Sequence, residues 1–320
     1  MTFFFYGPNT YLMRRQIDQM VGAFIKKTGS DLGLERIDGS TAKPAQVRAA
    51  LQATPFLSTS RLVIVDGLSA NKVTFEKLGN PLELVPQTTV AVFVESAVDQ
   101  RTTAFKLLGG ANKVVKFEPQ TSAQLTLWCK RLIEEAGGTV ERGAIVELLK
   151  RAGEDQWRLS EEIAKAVNYS LQVTVESVRE LVVASPEASI FDLVEAMTAG
   201  RTADAYEARA ALARQKQDDI YILSMIQWQL RNLLLAKVAP SGMTQAELAK
   251  SAGMSPYVAG KMLSASKSHA QELLTAGLKL AIDFEFEIKS GRRSSDAAVE
   301  QLIYRVAEAA ASSRSQYRTA

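Results

Sequence analysis

Near the start of the chain an apolar run, Phe3 to Tyr6, meets the turn Gly7-Pro8-Asn9-Thr10 and then a helical stretch. That order, strand then glycine turn then helix, is where a phosphate loop would sit. A working loop reads GxxxxGK[ST], because its backbone N–H groups wrap the phosphates and its lysine offsets their charge. Here Gly7 is followed by Pro8, Asn9, Thr10, Tyr11, Leu12, Met13 and Arg14. The second glycine, the lysine and the magnesium-binding hydroxyl are missing. Pro8 removes one N–H, and Tyr11 and Leu12 bring bulk where phosphates need room. The residues Gly7, Pro8, Asn9 and Thr10 are thus a degenerate loop with no nucleotide-binding role, a turn plus N-cap. Asp66, at the end of "VIVDG", is read as a turn former, since no phosphate loop is present for a metal-binding acid to serve.

Other chemistry is scarce. One histidine, His269, and one cysteine, Cys129, leave little for a nucleophilic triad, a disulfide framework or a multi-cysteine metal site. No catalytic residue, cofactor or metal is assigned. The 38 basic and 35 acidic residues give a net charge of +3, so charge does not announce a nucleic-acid binder. A segment at Met243 to Leu263 has the spacing of a helix-turn-helix, but its second helix offers bases only Tyr257, Lys261 and Ser264. A DNA-binding regulator using residues 244–263 is the competing reading of the chain. The stretch "LQATPFLSTSRLVIV" sets Phe56 and Leu57 side by side between polar residues. Neighbours cannot both enter one narrow core stripe. They read either as caps on the core or as a two-residue apolar plug for a partner's pocket.

The elements that carry these residues follow from periodicity. Short apolar runs at Phe3 to Tyr6, Leu34 to Ile37, Arg61 to Val65, Thr89 to Val94 and Lys113 to Phe117 alternate with helical stretches at Tyr11 to Lys27, Pro44 to Leu51, Val73 to Leu78 and Gln100 to Leu108. Strands apolar on both faces and separated by helices predict a doubly wound parallel α/β sheet over residues 1–120. Beyond Pro119 the strand signal stops. "TSAQLTLWCKRLIEEAGG" and three further helical segments predict a small helical domain over 121–186. A wholly helical block follows over 187–311, and the polar residues 312–320 are expected to be disordered. No run is long and apolar enough for a membrane span, and Phe3 to Tyr6 is too short for a secretory signal. The expected location is the cytoplasm.

With these features in place, the chain resembles the delta subunits of bacterial DNA polymerase III, which act in clamp loaders. "YGPNTYL", "ATPFLSTSRLVIVDG", "DQWRLSEEIAKAVNYS", "SIFDLVEAMTAG" and "LAIDFEFEIKSGR" are similar to that family's segments and occur in its order. Phe56-Leu57 reverses the family's usual Leu-Phe, and Glu161-Glu162 stands where the family has Asn-Glu. The resemblance implies an AAA+-like N-terminal module, a small helical lid and a C-terminal helical collar. It also implies a role: binding and opening the sliding clamp through Phe56 and Leu57, so that the loader can place the clamp on primed DNA. The partners implied are the sliding clamp (beta subunit), loader subunits of the gamma/tau and delta-prime types, and primed DNA within the complex. No nucleotide hydrolysis and no catalysis are expected of the chain itself, although it would be a subunit of the polymerase holoenzyme. Lys289, Arg292 and Arg293 are candidates for DNA contact in the collar or simply solvated charges at a helix end.

Overall fold

Thr2–Tyr6, Arg61–Asp66 and Thr89–Glu95 are strands made largely of buried residues, and the computed structural model shows what covers each face. It describes residues 1–55 and 58–318. The chain divides into two units, Met1–Pro119 and Gln120–Ala320. In the first, β1 (Thr2–Tyr6), β2 (Leu34–Asp38), β3 (Arg61–Asp66), β4 (Thr89–Glu95) and β5 (Lys113–Lys116) alternate with α1 (Thr10–Thr28), α2 (Pro44–Gln52), α3 (Lys72–Leu78) and α4 (Thr103–Leu108). All strands are parallel, in the order β2-β3-β4-β1-β5. The doubly wound sheet expected from the pattern is present, with each strand within two residues of its expected bounds.

Side chains alternate strictly between the faces, as the two-residue period of a strand requires. Phe4, Val63, Val65, Ala91 and Phe93 pack on one side with Val47, Leu51, Phe75 and Leu108 from α2, α3 and α4. Phe5, Leu62, Ile64, Val92 and Val94 pack on the other with Met13, Ile17 and Phe24 of α1. Because both faces are covered, a polar residue on either would be buried without water, which is why these strands read as unbroken apolar runs.

α1 starts where Asn9 accepts a hydrogen bond from the Leu12 N–H and stops at Gly29, whose positive φ of 77° lets its N–H return to the Ile25 carbonyl. At the carboxyl end of the sheet, Glu95 is buried and accepts hydrogen bonds from the N–H and hydroxyl of Ser69 at 2.7 and 2.6 Å. Burial raises its pKa above the ordinary carboxylate value, more strongly than those two bonds lower it.

The second unit consists of α5 (Ser122–Glu135), α6 (Ala144–Ala152), α7 (Gln156–Tyr169), α8 (Val175–Leu181), α9 (Pro186–Thr198), α10 (Thr202–Arg214), α11 (Asp219–Lys237), α12 (Gln245–Ala252), α13 (Pro256–Ala265), α14 (Gln271–Lys289) and α15 (Ser295–Arg318). Its apolar side chains form two clusters, one around Leu125, Ile133, Leu148, Leu159 and Ile163, the other around Leu193, Ile226, Leu230, Leu302 and Ile303.

Two departures from expectation appear here. Strand signal does not vanish after Pro119: Thr139–Val140 (β6) and Gln172–Val173 (β7) form a parallel two-residue pair. Segments this short carry no readable period. The helix α15 runs to Arg318, past the Ala311 bound expected for the helical block. Extending an existing helix adds one hydrogen bond per residue without a new nucleus, and the Ala309-Ala310-Ala311 run favours it.

Candidate functional site

The first place to look for chemistry is the carboxyl end of β1, where the strand order reverses and doubly wound sheets bind their ligands. That position is filled by the protein. Gly7 has φ of +123°, and a Cβ there would lie 2.3 Å from the Phe117 carbonyl oxygen. The Gly7 N–H donates to the Glu95 carbonyl at 3.0 Å and the Asn9 N–H to the Phe117 carbonyl at 3.1 Å. The Thr10 N–H donates to the Pro8 carbonyl, and the Asn9 side-chain amide donates to the Glu118 carbonyl at 3.1 Å. Leu12 and Met13 donate to the side chain and carbonyl of Asn9.

The N–H groups that would cradle a phosphate are therefore already bonded, that of Gly7 to β4, that of Thr10 to Pro8 and that of Asn9 to the chain leaving β5. Its carbonyl oxygens stand at the helix N-terminus that an anion would otherwise occupy. Tyr11 is buried, so the bulk that replaced the lysine region belongs to the core. Gly7, Pro8, Asn9 and Thr10 come together as a locked strand-to-helix joint.

The second place is the loop from Ala53 to Ser60. Phe56 and Leu57 lie outside the described residues, but both ends of their loop are defined. The Arg61 guanidinium donates to the Ala50 and Ala53 carbonyls at 2.7 and 3.0 Å and pairs with Glu35 of β2. Its own backbone N–H donates to the Thr88 carbonyl at 3.0 Å. One side chain thus holds the last turn of α2 against the first residue of β3. On the far side, the Ser58 hydroxyl donates to the Ser60 carbonyl at 2.7 Å, and the Leu62 N–H donates to the Gly33 carbonyl at 2.9 Å. Gln52, Ala53 and Thr54 are exposed. Sequence reasoning did not single out Arg61 or Glu35. An arginine at the start of a strand looks like ordinary surface charge until its carbonyl partners are located.

The family models decide the affiliation. The model for the DNA polymerase III delta subunit matches residues 3–118, and the model for the C-terminal domain of the same subunit matches residues 187–306. This chain belongs to the DNA polymerase III delta subunit family. It is 21% identical over 313 residues to the DNA polymerase III subunit delta of Bacillus subtilis, with 93% of this chain and 90% of that one covered. The solved structure of the Bacillus subtilis DNA clamp loader delta protein has the same fold, with a TM-score of 0.68, 20% identity, and 96% of this chain and 95% of that one covered.

The remaining candidates of this delta-family chain are defined by what each side chain touches. In the helix-turn-helix-like segment, Tyr257 is buried and its hydroxyl donates to the Leu149 carbonyl at 3.1 Å. The Lys261 ammonium stands 4.0 Å from the centroid of the Phe191 ring. Two of the three side chains that would face bases are thus turned into the protein, and only Ser264 is exposed. The helices have the right spacing and the wrong facing, because the apolar residues Ala259 and Met262 set which side of α13 is buried. His269 is buried within hydrogen-bonding range of the Thr198 hydroxyl at 3.4 Å. Cys129 is buried in an apolar cluster, and burial pushes its thiol pKa up to about 12, so it is a packing residue and not a nucleophile. Lys289 pairs with Glu285 at 2.5 Å, Arg293 pairs with Glu287 at 2.5 Å, and Arg292 lies over Phe286. All three partners lie on α14.

Proposed function

We propose that this delta-family chain binds the sliding clamp through Phe56 and Leu57 and biases it toward an opened state, so that a clamp loader can place it on primed DNA. The observation that carries the reading is the loop's base. Arg61 ties the end of α2 to the start of β3, so the described residues that flank the apolar pair in sequence are held to one another. Exposed residues, Gln52 to Thr54, lead to the pair. Fixing the residues on either side of a binding segment lowers the ordering cost of binding. No bond is made or broken; an affinity greater for the opened clamp than for the closed one does the work.

In this reading residues 121–186 act as the lid and 187–311 as the collar that meets loader subunits of the gamma/tau and delta-prime types in the cytoplasm. Nucleotide turnover is left to those partners. The locked joint at Gly7 to Thr10 supports that division, since its donors are already used. Among the described residues no helix is long and apolar enough to cross a membrane.

Burying two such side chains contributes roughly 1.5–3 kcal/mol each. Phe56→Ala combined with Leu57→Ala is therefore expected to weaken clamp binding by on the order of a hundredfold or more. Surface plasmon resonance with immobilised sliding clamp measures it, and circular dichroism checks that the variant is folded. Unchanged affinity in a folded variant would remove the assignment.

A further inference from the structure

The turn that leads into β2 carries an apolar side chain that the fold leaves in water. The Leu34 N–H donates to the Asp31 carbonyl at 2.8 Å, which closes a tight turn with Leu32 and Gly33 at its centre. Such centres favour glycine, asparagine, aspartate, serine and proline. Leu32 stands there 67% exposed.

The turn is fastened on both sides. Before it, the Thr28 hydroxyl is bonded to the Phe24 and Ser30 carbonyls at 2.8 and 2.7 Å. After it, the Gly33 carbonyl accepts from the Leu62 N–H at 2.9 Å. A Cβ on Gly33 would lie 2.6 Å from the Ser60 carbonyl oxygen and 2.7 Å from the Ser58 hydroxyl oxygen, so the turn presses directly on residues 58–60. A glycine permits that approach because it brings no side chain.

Leu32 immediately precedes Gly33, and Leu57 immediately precedes Ser58. The residue after one leucine thus touches the residue after the other. A stable protein interface covers about 20–30 residues a side, far more than two. A partner that grips Phe56 and Leu57 must also cover what adjoins them, and on the side of this turn the adjoining apolar side chain is Leu32.

We propose that Leu32 is a second apolar contact for the sliding clamp, covered by the same body that receives Phe56 and Leu57. The inference rests on the clamp-binding reading of that pair. Because hydrogen bonds hold the turn on both sides, covering Leu32 requires little further ordering of the chain.

Surface plasmon resonance of the full chain on immobilised sliding clamp tests it, with Leu32→Ala, Leu32→Asp, Val73→Asp and the combined Phe56→Ala, Leu57→Ala variant. Val73 is the control: it is 62% exposed in the first turn of α3, whose N-cap Asn71 donates to the Gly39 and Ala42 carbonyls beyond the carboxyl end of β2, whereas Leu32 lies before the amino end of that strand. Leu32→Ala is expected to weaken clamp binding about tenfold, the loss of one buried leucine side chain. Leu32→Asp is expected to weaken it further, since a carboxylate would be buried without a partner, and Val73→Asp is expected to bind as the unaltered chain does. Both Leu32 variants are expected to keep the melting temperature of the unaltered chain, because the side chain lies outside the core.

Binding that falls with the Phe56, Leu57 variant but not with Leu32→Asp overturns this inference and leaves the reading of the pair intact. Binding that falls with Leu32→Asp but not with the pair supports the contact at Leu32 and removes the assignment of the pair. No clamp binding by the unaltered chain overturns both. An equal loss in Val73→Asp overturns the inference by showing that added charge alone weakens binding, and a Leu32→Ala variant that melts several degrees lower overturns it by showing that Leu32 packs within the protein.

Discussion

Gly7 shows how much a single position can carry. Its φ of +123° is a region that residues with a Cβ rarely adopt, and the Phe117 carbonyl leaves no room for one. Gly7→Ala is expected to destabilise the first unit by about 3 kcal/mol or more, combining backbone strain with displacement of Phe117. Pro8→Ala, at an exposed turn position, is expected to stay within about 0.5 kcal/mol. Urea denaturation of the two variants measures the difference. Glu95 supplies a pH-dependent counterpart. Its folded pKa is raised by burial, so its contribution to stability is fully present below the unfolded value, near 4.5, and is lost as pH rises through the folded value. Glu95→Gln keeps an acceptor for the Ser69 N–H and removes the charge. Relative to wild type, the variant is expected to gain stability between about pH 4 and pH 8 and to level off once Glu95 is fully ionised. Denaturation midpoints across that range report the sign.

At the scale of elements, the loop between α2 and β3 depends on Arg61. Its side chain is 12% exposed, and it satisfies carbonyls at the end of α2 that would otherwise have no helical partner. Arg61→Met is expected to cost about 2 kcal/mol of stability and to lower clamp affinity, although Phe56 and Leu57 are untouched. Binding and denaturation measured on the same preparation separate the two effects; loss of stability with full affinity would mean that the loop needs no frame. This clamp was not legible in the sequence, since hydrogen bonds from a side chain to carbonyls eight and eleven residues earlier leave no periodic trace. The helix-turn-helix-like segment shows the reverse case. Its spacing was legible, but Tyr257 and Lys261 face inward because that side of α13 packs against the protein. A sequence gives the period of an amphipathic helix more readily than it says what lies opposite the stripe.

On the scale of the whole molecule, the first unit encloses its own apolar clusters on both faces of one sheet, and neither cluster draws on residues beyond Pro119. Residues 1–119 expressed alone are therefore expected to fold cooperatively, with dispersed amide resonances in a proton–nitrogen NMR spectrum and a single denaturation transition. A collapsed spectrum would show that the sheet needs the second unit. The second unit is held by side chains that join distant parts of the chain, among them the Tyr257 hydroxyl on the Leu149 carbonyl and the Ser255 hydroxyl on Glu154 at 2.5 Å.

The alternation of apolar strands and helices up to Phe117, the lost phosphate-loop residues after Gly7 and the helical content beyond Pro119 could all be read from the chain alone. Each is a local property: a strand buried on both faces must be apolar throughout, and a phosphate cradle must contain its glycines and lysine. Folding settled what depends on distant partners. It brought the Phe117 and Glu118 carbonyls over the Gly7 turn, Arg61 onto the end of α2, His269 beside Thr198, and Gly33 against Ser58 and Ser60. These groups are separated by tens of residues or serve the backbone of another element, so their meeting is a consequence of packing that no local pattern records.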